Sequence, residues 1–74
     1  MLSITNDQVL RLLDYSWKNI PKLITDSKDK YNIAPHHYTM QRIVSELIAQ
    51  GNVEFIEIPY GLKKTKAFKL KDTE

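Results

Sequence analysis

Apolar residues recur along this chain in three blocks at helical spacing, followed by two short runs of strand-forming residues. Between residues 5 and 18, Val9, Leu10, Leu12, Leu13 and Trp17 fall on one broad face, with Arg11, Asp14 and Lys18 outside it. That is the pattern of an amphipathic helix. Thr5 and Gln8 stand at capping-box spacing and Asp7 lies in the first turn, so the helix is predicted to begin near Thr5. Asn19-Ile20-Pro21 is predicted to end it, because a residue before proline avoids the helical region. Pro21 in turn suits the first turn of a second helix. The second element has two readings. Ile20, Leu23, Ile24 and Tyr31 share one helix face, which Ser27 and Lys28 interrupt; a brief strand at Leu23-Ile24-Thr25 with a shorter helix starting from Asp26, Ser27 and Asp29 is the alternative. Asn32 is expected to close the element in the left-handed conformation, with Ile33 plugging the core beneath.

The third helix is predicted over residues 35–50. Pro35 starts it, Gly51 stops it, and Met40, Ile43, Val44, Leu47 and Ile48 form a stripe at three- and four-residue spacing. Its other face carries His36, His37, Gln41, Arg42, Ser45 and Gln50, with Tyr38 between the two. Val53 to Ile58 is rich in β-formers, Pro59-Tyr60-Gly61 is predicted as a turn, and Thr65 to Leu70 as the returning strand. Glu54 and Glu57 are placed to pair across the hairpin with Lys66 or Lys69. The expected fold class is α+β, three helices followed by a two-stranded β-hairpin. It forms one domain over residues 1–74, with a core from about 5 to 70 and a polar tail at 71–74.

Composition narrows the function. Seventy-four residues leave room for one small core and no deep substrate cavity. The chain has no cysteine, so disulfides and thiolate metal sites are excluded. No apolar run approaches the ~20 residues of a membrane span, and the start MLSITNDQ lacks the regions of a signal peptide; a cytoplasmic protein is the expectation. A net charge of +2 does not by itself argue for nucleic acid. The distribution says more, because Gly61 to Lys71 holds Lys63, Lys64, Lys66, Lys69 and Lys71 with no acidic residue. His36 and His37 would point about 100° apart on a helix, and there is no third histidine, so neither zinc nor any other cofactor is expected. Without a glycine-rich phosphate loop, a thiol or a Ser-His-Asp arrangement, an enzyme is not expected either.

Tyr31-Asn32-Ile33-Ala34, followed by Thr39, Arg42, Val44, Leu47, Gly51 and Val53, resembles the turn, recognition helix and wing opening of the winged helix-turn-helix family of DNA-binding domains. Short chains rich in lysine, isoleucine and tyrosine are also similar to small transcription regulators of archaeal plasmids and viruses. The resemblance spans roughly residues 5–70 and departs from the family in two places. About two extra residues separate the turn from Thr39, and Ser27 and Lys28 stand where the family buries small or apolar residues.

What the resemblance implies is a protein that binds double-stranded DNA, with the third helix in the major groove and the hairpin beside it. Arg42 then reads guanine and Gln41 adenine; alternatively Arg42 holds a phosphate or pairs with Glu46. The expected contact set is His36, His37, Tyr38, Gln41, Arg42 and Ser45 on the helix. Lys63, Lys64 and Lys66 join it from the wing, on phosphates or in the minor groove. Tyr60 either supports the turn or stacks on a sugar. Leu2, Ile4 and Trp17 exceed the needs of the small core and are expected either to pack under the wing or to form a twofold contact. A homodimer on a palindrome is the expectation. The competing reading is a protein-interaction module of a replication or transcription assembly.

Overall fold

The computed structural model describes residues 3–71. Helix α1 spans Asn6–Leu12, strand β1 Lys18–Asn19, α2 Ile20–Tyr31, α3 His37–Ala49, β2 Val53–Tyr60 and β3 Lys63–Leu70. The result is a small α+β domain of three helices and a three-stranded antiparallel sheet in the order β1-β3-β2. The sheet therefore has one strand more than the sequence predicts.

The extra strand follows from an early end to α1. Thr5 caps this helix in a complete capping box with Gln8, but the helix stops at Leu12 and does not run on to residue 18. Asp14 supplies the reason. Its carboxylate accepts from both the backbone N–H and the hydroxyl of Ser16, a local turn that competes with helical hydrogen bonding. Leu13 stays buried although its backbone is extended, so the apolar periodicity continued past the end of the helix. The released segment pairs Lys18 with Phe68 and Asn19 with Ala67. Trp17 consequently leaves the helix face and packs its ring under the Lys69 ammonium, 4.8 Å away.

α2 is one continuous helix, not a strand and a shorter helix. Asn19 caps it by accepting from the Lys22 N–H at 2.9 Å, and Pro21 lies in its first turn. Ser27 does not interrupt the buried face but sits within it, fully enclosed. Its hydroxyl donates to the Ile33 carbonyl at 2.7 Å, and its own carbonyl accepts from the Ile33 N–H. Both backbone groups of Ile33 are thereby held by one residue. Asn32 takes the left-handed conformation at φ 57°, and Ile33 packs against the core.

α3 buries Met40, Ile43, Val44 and Leu47 against Val9, Leu12, Leu23 and Phe68. Gly51, at φ 83°, turns the chain into β2. The hairpin turn is the pair Gly61-Leu62, with Tyr60 opposite Lys63, and not Pro59-Tyr60-Gly61. Gly61 has φ 64° while Leu62 does not have a positive φ, which is the signature of a type II′ turn. Pro59 therefore lies inside edge strand β2. In this register it occupies a non-hydrogen-bonded position, where its missing N–H faces outward and removes a donor from the open edge.

Candidate nucleic-acid interface

α3 is positioned by its buried stripe, which fixes what remains outside. Tyr38 and Ser45 each stand three or four residues from the adjacent pair Gln41 and Arg42 along the exposed face, and the four together line a shallow groove. Arg42 makes no ion pair among the described residues. Glu46, the acid one turn along, instead accepts from the Asn6 side-chain amide at 3.0 Å; it anchors the start of α1 to α3 and leaves the guanidinium unopposed.

The hairpin register decides which lysines face this helix. Val53, Phe55, Glu57 and Pro59 share one face of β2 with Lys64, Lys66, Phe68 and Leu70 of β3, while Glu54, Ile56, Ile58 and Tyr60 share the other with Lys63, Thr65, Ala67 and Lys69. The first face overlooks α3. Lys66 and Phe55 lie across a cleft from Gln41 and Ser45. Lys64 and Lys66 border a second recess of about 280 Å³ with His37 and Gln41. The Lys66 ammonium lies 5.4 Å from the centre of the Phe55 ring, a cation–π contact that holds the long side chain over the cleft.

Lys63 is separated from this group. It stands on the opposite face beside Tyr60. Lys64 is not free of acids, because its ammonium lies 3.9 Å from the Glu57 carboxylate, an exposed pair of small energetic weight. Lys69 is held by Glu54 at 3.3 Å. Glu54 thus pairs across the hairpin with Lys69 as the sequence suggests, whereas Glu57 reaches the diagonal Lys64 and not Lys66 opposite it. The two histidines also part company. His37 looks toward the hairpin recess, while His36 caps the start of α3 without a side-chain hydrogen bond and borders a different recess beside Ile4 and Asn32.

The structure therefore brings together His37, Tyr38, Gln41, Arg42, Ser45, Lys64 and Lys66, and sets His36 and Lys63 apart. Sequence reasoning missed Phe55, which supports Lys66. The signal for it was the turn position, because a two-residue turn at Gly61-Leu62 puts Phe55 and Lys66 on the same face. Of the residues proposed for a twofold contact, Ile4 is buried in the core, Leu2 lies outside the described residues, and Trp17 remains exposed. No helix among the described residues is long and apolar enough to cross a membrane. Comparison with protein-family models, with curated proteins and with solved structures finds no match to this chain.

Proposed function

We propose that the protein is a winged helix-turn-helix domain that binds double-stranded DNA and regulates transcription by occupying its site. The observation that carries this reading is the alignment of two surfaces. The unopposed Arg42, with Gln41, sits on the exposed ridge of α3, and Lys64 and Lys66 project from the hairpin face that overlooks that ridge. In this arrangement α3 enters the major groove, Arg42 and Gln41 meet base edges, and the lysines fix the backbone. The short β1 is compatible with a wing, since it clasps only the base of the hairpin at Ala67 and Phe68 and leaves the tip free.

Selection of bound sequences from a random duplex pool, followed by titration of wild type and Arg42→Ala, tests the proposal. Arg42→Ala is expected to cost about 1–3 kcal/mol on the selected site and less on random DNA. Equal losses on both would make Arg42 a phosphate contact. No duplex binding by wild type would end the DNA reading. The second reading, a protein-interaction module, is favoured by a separate observation. Trp17, Ile56, Ile58 and Tyr60 are exposed apolar side chains, and the last three share the sheet face turned away from α3. Such a module would neither be retained on heparin nor shift duplex DNA.

A further inference from the structure

We propose that the hairpin tip is a wedge. Leu62 inserts between base pairs from the minor groove, and the lysines around it hold the two phosphate rails on either side. This inference rests on the DNA-binding reading and adds to it a deformation of the duplex.

The starting observation is that Leu62 is 107% exposed, as open as a side chain on an isolated peptide, and that it occupies the foremost point of the hairpin. Nothing in the fold asks for leucine there. The turn needs glycine at its first central position, which Gly61 supplies, while the second position is ordinarily served by a small polar residue such as Asn, Asp or Ser. No core residue covers it. A lone exposed leucine would be unremarkable on a protein surface, but this one is continued by Tyr60, at 78% exposure, and Ile58, at 39%, along a single strand face. The tip is thus apolar at its point and along one flank.

The charge around it identifies the occupant. Lys63 and Lys64 follow Leu62 directly in the chain, and Lys63 has no ion-pair partner among the described residues. An apolar point flanked on its β3 side by two cations fits a partner whose surface is anionic and whose interior is apolar. Duplex DNA and an anionic bilayer both have that property. Lys64 and Lys66 decide between them, because with the single acid Glu57 beside them they carry net positive charge back from the tip along the face that overlooks Gln41 and the α3 ridge. A curved polyanion meets the tip and the ridge together, whereas a flat bilayer meets only the tip. Apolar side chains wedged from the minor groove unstack a base step and bend the duplex toward the major groove. The cost of unstacking is lowest at pyrimidine–purine steps such as TA, so the wedge also confers a preference for a flexible step beside the sequence read by α3.

The test uses the whole chain, a duplex carrying 2-aminopurine at TA steps on either side of the selected site, and the same duplex with donor and acceptor dyes at its ends. Wild type is expected to raise the 2-aminopurine fluorescence at one step and to shorten the end-to-end distance, with a bend in the range of roughly 20–90°. Leu62→Ser, which suits the turn and removes no core contact, is expected to lose both signals while keeping its melting temperature and the salt dependence of binding. Leu62→Met should restore them. Wild type that binds without unstacking, or Leu62→Ser that unstacks as well as wild type, would overturn the wedge and leave the DNA reading intact. Failure to bind any duplex would overturn both. Cosedimentation with vesicles of equal parts phosphatidylserine and phosphatidylcholine that depends on Leu62, in the absence of duplex unstacking, would overturn the wedge in favour of a membrane contact.

Discussion

Two hydroxyls at the end of α2 lie under the same pack of helices and have opposite fates. Ser27 is enclosed and satisfied, since its hydroxyl donates to the Ile33 carbonyl. The Tyr31 hydroxyl oxygen is buried and has no hydrogen-bond partner among the described residues. An unsatisfied buried polar group costs about 1–3 kcal/mol, so Tyr31→Phe is expected to leave the fold unchanged and raise its stability by about 1 kcal/mol. Urea denaturation of the two proteins measures the difference. A loss of stability would show that the hydroxyl has a partner in solution. Neither role was legible in the sequence. Ser27 reads there as a polar break in an apolar face, because only the returning Ile33 backbone shows what its hydroxyl is for. Asn32, by contrast, was legible, since few residues other than glycine tolerate its φ of 57°.

Between elements, the joint of α1, β1 and α2 is made by Lys18. Its ammonium donates to the Leu12 carbonyl at 2.8 Å, at the C-terminal end of α1 where a cation is favoured. It also lies 3.3 Å from Asp26 and 3.5 Å from Asp14. Hydrogen bonds from the Ser16 hydroxyl and backbone hold the Asp14 carboxyl below its ordinary value of 3.8, with Lys18 adding to the effect. At Asp26 partial burial pushes the carboxyl up, but the hydrogen bonds and charges of Lys22 and Lys18 outweigh it and leave the value lowered. A carboxyl whose folded pKa lies below its unfolded pKa stabilises the fold above the unfolded value, and that contribution is lost as pH falls through the folded one. Stability is therefore expected to decline on acidification below about pH 4, with a flatter acid limb in Asp14→Asn/Asp26→Asn; thermal melts across pH 2–6 read both curves. Coincident acid limbs would show that other carboxylates govern the acid transition.

The hairpin carries the second element-scale expectation. Because Lys64 and Lys66 face α3 and Lys63 does not, Lys64→Ala/Lys66→Ala should reduce the salt dependence of DNA binding by up to about 1.8 units, at about 0.9 per lost phosphate contact. Lys63→Ala should reduce it by one contact only if the tip itself meets the backbone. An unchanged slope in the folded double variant would turn the wing away from DNA. The division among these lysines was hidden from the sequence by one turn. Pro59-Tyr60-Gly61 looks like the bend, yet proline at the outward position of an edge strand costs no ladder bond. The true turn at Gly61-Leu62 shifts every side chain's face.

At the scale of the whole molecule, the fold is a slab with principal extents of 35, 34 and 19 Å. Half-sites one helical turn apart place their readers about 34–36 Å centre to centre, so two chains bound side by side would abut without deep overlap. With Ile4 committed to the core, Trp17 is the one member of the expected N-terminal contact that stays exposed among the described residues. The proposed homodimer is therefore one assembled on DNA. Sedimentation at micromolar concentration is expected to give a monomer alone and a two-to-one complex on a palindromic duplex. A one-to-one complex would leave a single-site reader. The legible part of this architecture was the helical stripe of α3 and the β-forming run after Gly51. The third strand was not legible, because two residues, Lys18 and Asn19, carry no pattern of their own and become a strand only against β3.

That dependence on β3 sets the order in which the protein can come into being. Every helix and both partner strands precede Lys63, yet β1 and β2 make their ladders only with residues 63–70, and Phe68 of that strand lies within the core. The Asp14 carbonyl also waits for the Leu70 N–H. During synthesis the emerging chain therefore lacks its sheet and the Phe68 part of its core until residues 63–70 are available, and native packing is complete only once β3 has joined. The pairing of residue 18 with residue 68 closes a long loop, a contact that costs chain entropy and slows folding. The lysine-bearing hairpin that would meet DNA is thus finished in the same step as the core itself.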